Sequence, residues 1–466
     1  MSRTPFEYNR SEQEAQAIDQ EMAKLINKEV VSISIISEGD YFSNLFTTPK
    51  KDGSLRTILN LKSLNESCST NHFKMESIKN AIRIIKPGSY LASLDIRDAF
   101  YSIPIFEEHK KYLKFMWRGV PYQFEAMPNG YKDAMRVFTK ILKPAFSYLR
   151  ELGHKSVVYV DDSMLEGRPA SRCSDNVVAT ENCLTGLGYS IHDIKSQRTP
   201  SQILEFLGHI FDTIKMSVSL TWKKKKRIYD MAIFLLTSDE VTIRIVARFL
   251  GYLCSSFEGV HMGRLHYRRI EFSKNTALSE AYGNFDASFC LSSKAKREIC
   301  WWVDNIWESS KSMLPIPKHD YIFYTDASGV GWGAHDCNRT IQGQWKYAEF
   351  FLHSNIQELM AIKFALIIFL QDYSGLQHVR VMTDNTTAIA YINKQGGIRS
   401  MYCNDLAVDI WNICIDKGCH ISAAHIPGVE NITADTASRE FEESAEWMLS
   451  PHIYLTTYAL FMVPRI

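Results

Sequence analysis

The chain contains no run of about 18 apolar residues, the length a membrane-spanning helix needs, so membrane insertion is not expected. Its first residues, Met1-Ser2-Arg3-Thr4-Pro5-Phe6-Glu7, lack an apolar signal region, which speaks against secretion and for an intracellular protein. Ten cysteines occur without a single Cys-x-x-Cys pair. The nearest spacing, Cys414 to Cys419, has no second pair to complete a zinc site, so reduced thiols are expected. Charge of one sign is also missing overall: 53 Lys+Arg stand against 52 Asp+Glu, a net +1 that gives no general drive toward a polyanion. The basic excess is local instead. Residues 201–270 hold 11 Lys+Arg against 6 Asp+Glu, including Lys223-Lys224-Lys225-Lys226-Arg227, which suits either a phosphate backbone or a solvated helix face.

With 466 residues, 45% hydrophobic and 23% charged, the chain is globular rather than disordered and long enough for about two to four cores. Its organising stretch is Val157-Val158-Tyr159-Val160-Asp161-Asp162-Ser163-Met164-Leu165, which reads as strand, tight turn and returning strand with two carboxylates at the tip. Strand side chains alternate, so only one of the two is expected to ligate a metal directly, and Asp161 is the better candidate. An isolated Asp-Asp pair is usually an ordinary surface turn; the surroundings decide otherwise.

Upstream, residues 11–28 read as an amphipathic helix opened by a capping box of Ser11 and Glu14, a lead-in rather than a site. Asp52-Gly53 marks a hairpin that brings Lys50 or Lys51 near Arg56, a point charge beside a planar fork, as a triphosphate would need. Ser89 to Asp95 begins as a strand ending at a carboxylate. Brought beside Asp161, Asp95 would form an oxygen-ligand clamp suited to magnesium on substrate phosphates. Two ions about 3.5 to 4 Å apart would stabilise both oxygens of an in-line phosphoryl transfer. Phe100, five residues on, is either core or a wall that clashes with a ribose 2′-hydroxyl. Met127-Pro128-Asn129-Gly130 is a loop feeding a helix that runs to about Leu149.

Together, Asp95 with Phe100, the Met127 to Gly130 loop, Tyr159-Val160-Asp161-Asp162, Gly188 through Lys195, and Phe206-Leu207-Gly208-His209 stand in the order of the reverse transcriptase palm motifs. The chain therefore resembles retroelement reverse transcriptases. The resemblance implies that Asp95 and Asp161 hold two magnesium ions, with manganese as a substitute, that Asp162 assists, and that the Ile96 carbonyl completes the shell. It makes Phe100 the deoxyribose gate and gives the triphosphate to Arg56 with Lys50 or Lys51. Asn129 stands where retroviral relatives commonly carry glutamine, keeping the amide with a shorter reach. Lys195 is implied as proton donor to pyrophosphate, Phe206, Leu207, Gly208 and His209 as primer grip, and the run from Lys223 and Lys224 as the opening of the thumb.

The C-terminal third holds a second carboxylate set. Tyr321 to Asp326 is a strand ending in Asp, followed by Gly329, Gly331 and Gly333, which permit a sharp return hairpin. Ser354 to Leu370 reads as a helix with Leu359, Ile362, Leu366 and Phe369 on one buried stripe and Glu358 in its first turns. Val379 to Asp384 is another strand ending in Asp, and His425 to Asp435 joins a loop to a helix. These segments resemble the ribonuclease H domain of retroelements. That resemblance puts Asp326, Glu358, Asp384 and Asp435 on metals and His425 on a mobile loop assisting product release or proton transfer. Lys394 and Gln395 follow the third acid, either facing the hybrid or in an exposed turn.

The expected fold class is α+β: a right-hand polymerase of fingers, palm and thumb with a connection, plus a C-terminal α/β ribonuclease H-like domain. The expected blocks are a helical lead-in (1–39), fingers and palm (40–220), thumb and connection (221–318), ribonuclease H (319–440) and a tail (441–466). Resemblance covers roughly residues 35–440. Tyr41 to Phe46 and the Ser438-Arg439 and Glu446-Trp447 continuation look like DIRS-like tyrosine-recombinase retrotransposons, though long-terminal-repeat elements and plant pararetroviruses share most of this. No aspartic-protease Asp-Thr/Ser-Gly triplet and no zinc-binding integrase head occur. Expected partners are an RNA template, a DNA primer, RNA/DNA hybrid and deoxynucleoside triphosphates, with an element-encoded recombinase and capsid-like proteins as further candidates. The expected location is cytoplasmic with nuclear access. The competing expectation is a domesticated or structural nucleic-acid-binding subunit without catalysis.

Overall fold

A computed structural model describes residues 3–49, 55–69, 71–371, 375 and 377–441, without the side chains of Pro49 and Arg56. They form two compact units: Met1–Lys225 with Glu258–His261 and Glu308–Leu314, and Lys226–Phe257 with Met262–Trp307 and Pro315–Ile466.

The first unit opens with helix Glu12–Asn27, whose capping box is as expected: the Glu14 N–H donates to Ser11 Oγ and the Ser11 N–H to the Glu14 carboxylate. Ile18, Met22 and Leu25 recur at helical spacing and are buried with Leu45, Leu59 and Phe124. The antiparallel strands Asn44–Pro49 and Leu55–Asn60 follow, in register from Asn44↔Asn60 to Pro49↔Leu55. Four antiparallel strands then form a sheet in the order Lys155–Tyr159, Asp162–Gly167, Tyr90–Asp95, Gln197–Ser201. Helices Ala134–Glu151 and Ala170–Gly186 supply Phe138, Phe146, Val177 and Leu184 to its cores.

A second four-stranded sheet runs Ile203–Phe206, His209–Asp212, Ser217–Leu220, Ser310–Ser312. Its last strand lies inside the stretch expected as thumb and connection. Ser217↔Ser312 pairing and the burial of Met313 with Phe211 and Val218 draw 308–314 back to the first unit. Residues 221–225, 258–261 and 308–314 thus belong with the first unit and the remainder of 221–318 with the second.

In the second unit, helices Ile243–Cys254, Arg268–Glu280 and Ser293–Asn305 precede a five-stranded sheet ordered Thr340–Gln344, Gly331–His335, Tyr321–Ala327, His378–Thr383, His420–His425. Its first three strands are antiparallel neighbours and its last two pairings are parallel. Arg269 is paired with Asp405 on helix Met401–Asp416, and the buried Glu298 carboxylate accepts the Arg269 and Ile270 N–H groups. The helices are thereby tied to the sheet's own helical layer.

Two expectations change here. Helix Ser354–Phe369 is buried from Gln357 through Ile362 without a break, so its apolar surface is wider than the single stripe expected. Gly331 and Gly333 lie within a strand and serve close packing rather than the turn. A Cβ on Gly333 would stand 2.5 Å from the Ala434 carbonyl oxygen, and one on Gly331 would stand 2.2 Å from the Phe441 ring. Trp332 between them packs on Phe364, so strand alternation puts helix Ile432–Arg439 on the opposite face. Gly333→Ala should therefore destabilise the second unit by about 1–3 kcal/mol, as overpacking against backbone does. Gly329→Ala, with open space around its Cβ, should be near neutral by urea unfolding.

Candidate active sites

Strand register assembles the first carboxylate group. Asp95 ends its strand directly opposite Asp162, the first residue of the returning strand, and the Ile96 N–H donates to the Asp161 carbonyl across the tip. Val160 takes the left-handed conformation (φ 56°), turning the chain so that Asp161 sits at the hairpin tip beside Asp95. Asp95 is 8% exposed, and its Oδ1 has no hydrogen-bond partner. The Lys195 ammonium lies 3.5 Å from Oδ2 of the same carboxylate.

These groups repel. Burial, then the Asp95 charge, pushes Asp161 above the usual carboxylate range. Burial, followed by Asp161 and Asp95, raises Asp162 to about 6. An unpartnered carboxylate oxygen among three mutually repelling acids is a donor set that fits a hard divalent cation. A cavity of 620 Å³ beside it is lined by Phe100, Asn129, Asp161 and Lys195, the residues expected there, and by Glu21 and Leu25, which were not. Phe100 packs edge-on against Phe138 at 5.8 Å between centroids, and the Asn129 amide donates to the Tyr101 hydroxyl at 3.2 Å.

Lys50 and Lys51 lie outside the described residues, as does the Arg56 side chain. Phe206 and His209 flank a turn in which Leu207 and Gly208 both have positive φ, and both side chains point into the core. His209 donates Nδ1–H to the Leu207 carbonyl, and burial, then Lys224, depresses it to about 4. Leu207 and Gly208, between Phe206 and His209, are half-buried, and the Gly208 carbonyl accepts the Thr221 N–H at 3.3 Å. Lys223 is exposed at the start of helix Trp222–Thr237, while Lys224 is half-buried and lowered to about 8 by that burial.

The second group draws Asp326 from a strand, Glu358 from a buried helix and Asp384 from the end of another strand, with ligand oxygens all within 4.8 Å. Glu358 is raised to about 9 by burial, then by Asp326 and Asp384. Burial also raises Asp326, against the pull of the Ser438 hydroxyl that donates to it at 2.8 Å. Asp435, expected as the fourth ligand, stands outside this trio; its carboxylate accepts from Arg439 at 2.7 Å, although its charge reaches Asp326. His425 is exposed at a strand end opposite Thr383, and the loop after it approaches Asp384 closely enough that a Cβ on Gly428 would lie 3.1 Å from its carboxylate.

Lys394 is exposed, whereas Gln395 is tied to Met262 Sδ at 3.3 Å, so the expected turn is packed rather than free. Lys394, Arg399 and Asn355 line a groove of 790 Å³ with Arg268, whose buried Nε has no partner. Sequence reasoning missed Arg268 and gave no site role to Asn431 and Ser438, which fasten the last helix to the strand bearing Asp326. Their signal is purely long-range.

Residues 48–211 match the family model described as reverse transcriptase (RNA-dependent DNA polymerase). The chain is 22% identical over 455 residues to the enzymatic polyprotein of Figwort mosaic virus (strain DxS), covering 89% of this chain and 61% of the relative. It is 23% identical over 427 residues to the retrovirus-related Pol polyprotein from transposon gypsy of Drosophila melanogaster, covering 85% and 37%. The chain thus spans less than two thirds of these relatives. Among solved structures, the foamy viral protease-reverse transcriptase in complex with dsDNA aligns with a TM-score of 0.58 at 16% identity, over 92% of this chain and 86% of that one. The same protein in complex with RNA/DNA hybrid gives 0.57 at 15%, over 97% and 58%. Residues 48–211 thus match the reverse transcriptase family model, and the chain shares the right-hand polymerase fold of these solved structures, as expected for the polymerase part of the fold class.

Replacing one of the mutually repelling carboxylates should relieve strain at the cost of metal binding. Asp162→Asn should raise the metal-free unfolding midpoint by up to about 2–4 °C, the shift about 1 kcal/mol gives in a unit of this size. It should also shrink the further rise caused by added magnesium, both read by calorimetry.

Proposed function

We propose that this chain is an RNA- and DNA-templated DNA polymerase of a retrotransposon, coupled to a ribonuclease H that hydrolyses the RNA strand of RNA/DNA hybrids. The observation that carries the polymerase half is Asp95, with its unpartnered oxygen, opposite Asp162 and next to Asp161 and the 620 Å³ cavity. The trio Asp326, Glu358 and Asp384 supports the nuclease half, with Asp435 reaching it only if its pairing with Arg439 yields.

In this reading Asp95, Asp161 and the Ile96 carbonyl would hold two magnesium ions, with manganese as a substitute, and Asp162 would assist. Bound there, the ions would acidify the primer 3′-hydroxyl and balance charge on the triphosphate. The protein's own contribution is positioning and exclusion. Phe100, braced by Phe138, walls the sugar side against a 2′-hydroxyl. Asn129 is oriented by Tyr101 toward the incoming nucleotide. Lys195 stands ready to pass a proton to the leaving pyrophosphate, and Arg56 with Lys50 or Lys51 completes the triphosphate's charge. In the second site His425 assists product release or proton transfer.

Template RNA, primer DNA and their hybrid are the proposed macromolecular partners, held mainly through the backbone by the Leu207–Gly208 turn, Lys223, Lys224 and Lys394. Placement among DIRS-like elements, with an element-encoded recombinase and capsid-like proteins as associates, rests on the Tyr41 to Phe46, Ser438-Arg439 and Glu446-Trp447 segments, the last of which lies outside the described residues. The proposed location is cytoplasmic with nuclear access; among the described residues no helix is long and apolar enough to cross a membrane.

The test is extension of a labelled DNA primer on an RNA template with magnesium and deoxynucleotides. Asp161→Asn should lose extension by at least about 100-fold, several kcal/mol of charge stabilisation, and keep RNA trimming. Asp384→Asn should do the reverse. A wild-type chain that binds the hybrid and does neither would reject the polymerase reading in favour of a binding subunit.

A further inference from the structure

Helix Glu12–Asn27 reads in sequence as a lead-in, yet Glu21 and Leu25 on it line the same cavity as Asp161, Phe100 and Asn129. Its inner face is fixed, with Ile18, Met22 and Leu25 buried against the Leu59 and Phe124 strands and with Tyr101 packed on that cluster. Lys28 caps the C-terminal end of this helix, where a cation is favoured by the helix dipole. From there its ammonium reaches Asp98 Oδ2 at 2.5 Å.

Asp98 is an unusual residue to hold. It lies in the left-handed region (φ 52°) and opens the single turn Ala99–Ser102, which carries Phe100 and Tyr101. Its carboxylate makes no capping hydrogen bond to that turn, and Arg97 approaches it only to 3.9 Å. Its carbonyl accepts the Tyr101 N–H at 2.8 Å, and the Phe100 carbonyl accepts the Ile103 N–H at 3.2 Å. The carboxylate is thus spent on Lys28, and the backbone it belongs to sets where the Phe100 ring stands.

We infer that Lys28 is a positioning residue of the nucleotide pocket: through Asp98 it fixes the turn bearing Phe100, and so sets how strictly a ribose 2′-hydroxyl is refused. The inference rests on the polymerase reading above. Both members of the pair are about half exposed, so the pair adds little to global stability; its consequence is geometric. A small displacement of a wall that works by steric refusal admits the larger sugar and loosens the smaller one.

The experiment compares primer extension with deoxynucleotides and ribonucleotides by the full chain carrying Lys28→Ala, Lys28→Arg or Asp98→Asn, the last keeping a residue that tolerates the left-handed region. Lys28→Ala and Asp98→Asn should each raise the deoxynucleotide KM about fivefold, leave kcat within about twofold, and lower the preference for deoxynucleotides over ribonucleotides about fivefold. Lys28→Arg should restore both values, and melting temperatures should stay unchanged. A lowered melting temperature with unaltered sugar preference would reduce Lys28 to a structural role and overturn the inference.

Hydrogen exchange gives a readout independent of catalysis. The Tyr101 and Ile103 amides should exchange faster in Lys28→Ala than in wild type. Equal protection would overturn the inference even in a chain that extends no primer, whereas failure of wild type to extend counts against the polymerase reading alone.

Discussion

Like charges held together by strand register are the constraint on which the first unit depends. Pairing of Tyr90–Asp95 with Asp162–Gly167 places Asp95 against Asp162, and the left-handed Val160 folds Asp161 over them. Nothing in the folding of an apolar sheet asks for three carboxylates at one point; burial and mutual repulsion raise two of them. The sheet can bear this only because its stability comes from elsewhere, from Leu91, Val157, Met164 and Phe138 behind the site. The arrangement makes chemical sense once divalent cations occupy it.

The second unit solves the same problem with a different fold. Asp326 and Asp384 come from the ends of neighbouring parallel strands and Glu358 from the buried helix that follows two antiparallel strands and leads into the second parallel strand, so the group is assembled across the sheet rather than at one hairpin tip. Close helix packing at Gly333 and the Ser438 hydroxyl hold the fourth acid's helix against the strand carrying Asp326. Asp435 is near but engaged with Arg439. Two carboxylate groups, each within its own unit, are the basis for proposing two separable activities.

Much of this was legible because the signals are local. Strand-turn-strand around Asp161, strand ends at Asp95, Asp326 and Asp384, and the Ser11 and Glu14 capping box all reside in a few adjacent residues. What escaped is long-range. The pairing of Ser310–Ser312 with Ser217–Leu220 joins segments about ninety residues apart, and no periodicity announces it. Glu21 and Leu25 reach the cavity beside Asp161 only through packing of the first helix, and Gly331 looks like a turn glycine until the Phe441 ring is seen against it. Phe206 and His209 show the converse: a motif names four residues, and burial decides that two of their side chains face inward.

Manganese binding, followed by the electron paramagnetic signal of the free ion, tests most directly whether two independent carboxylate sites exist. Wild type, Asp95→Asn, Asp384→Asn and the double variant would be titrated under one set of conditions. Each single variant should lose one set of binding sites and keep the other, and the double variant should lose both. A double variant that binds manganese as wild type does, or a single variant that loses all binding while remaining folded, would contradict the assignment of metals to these two groups.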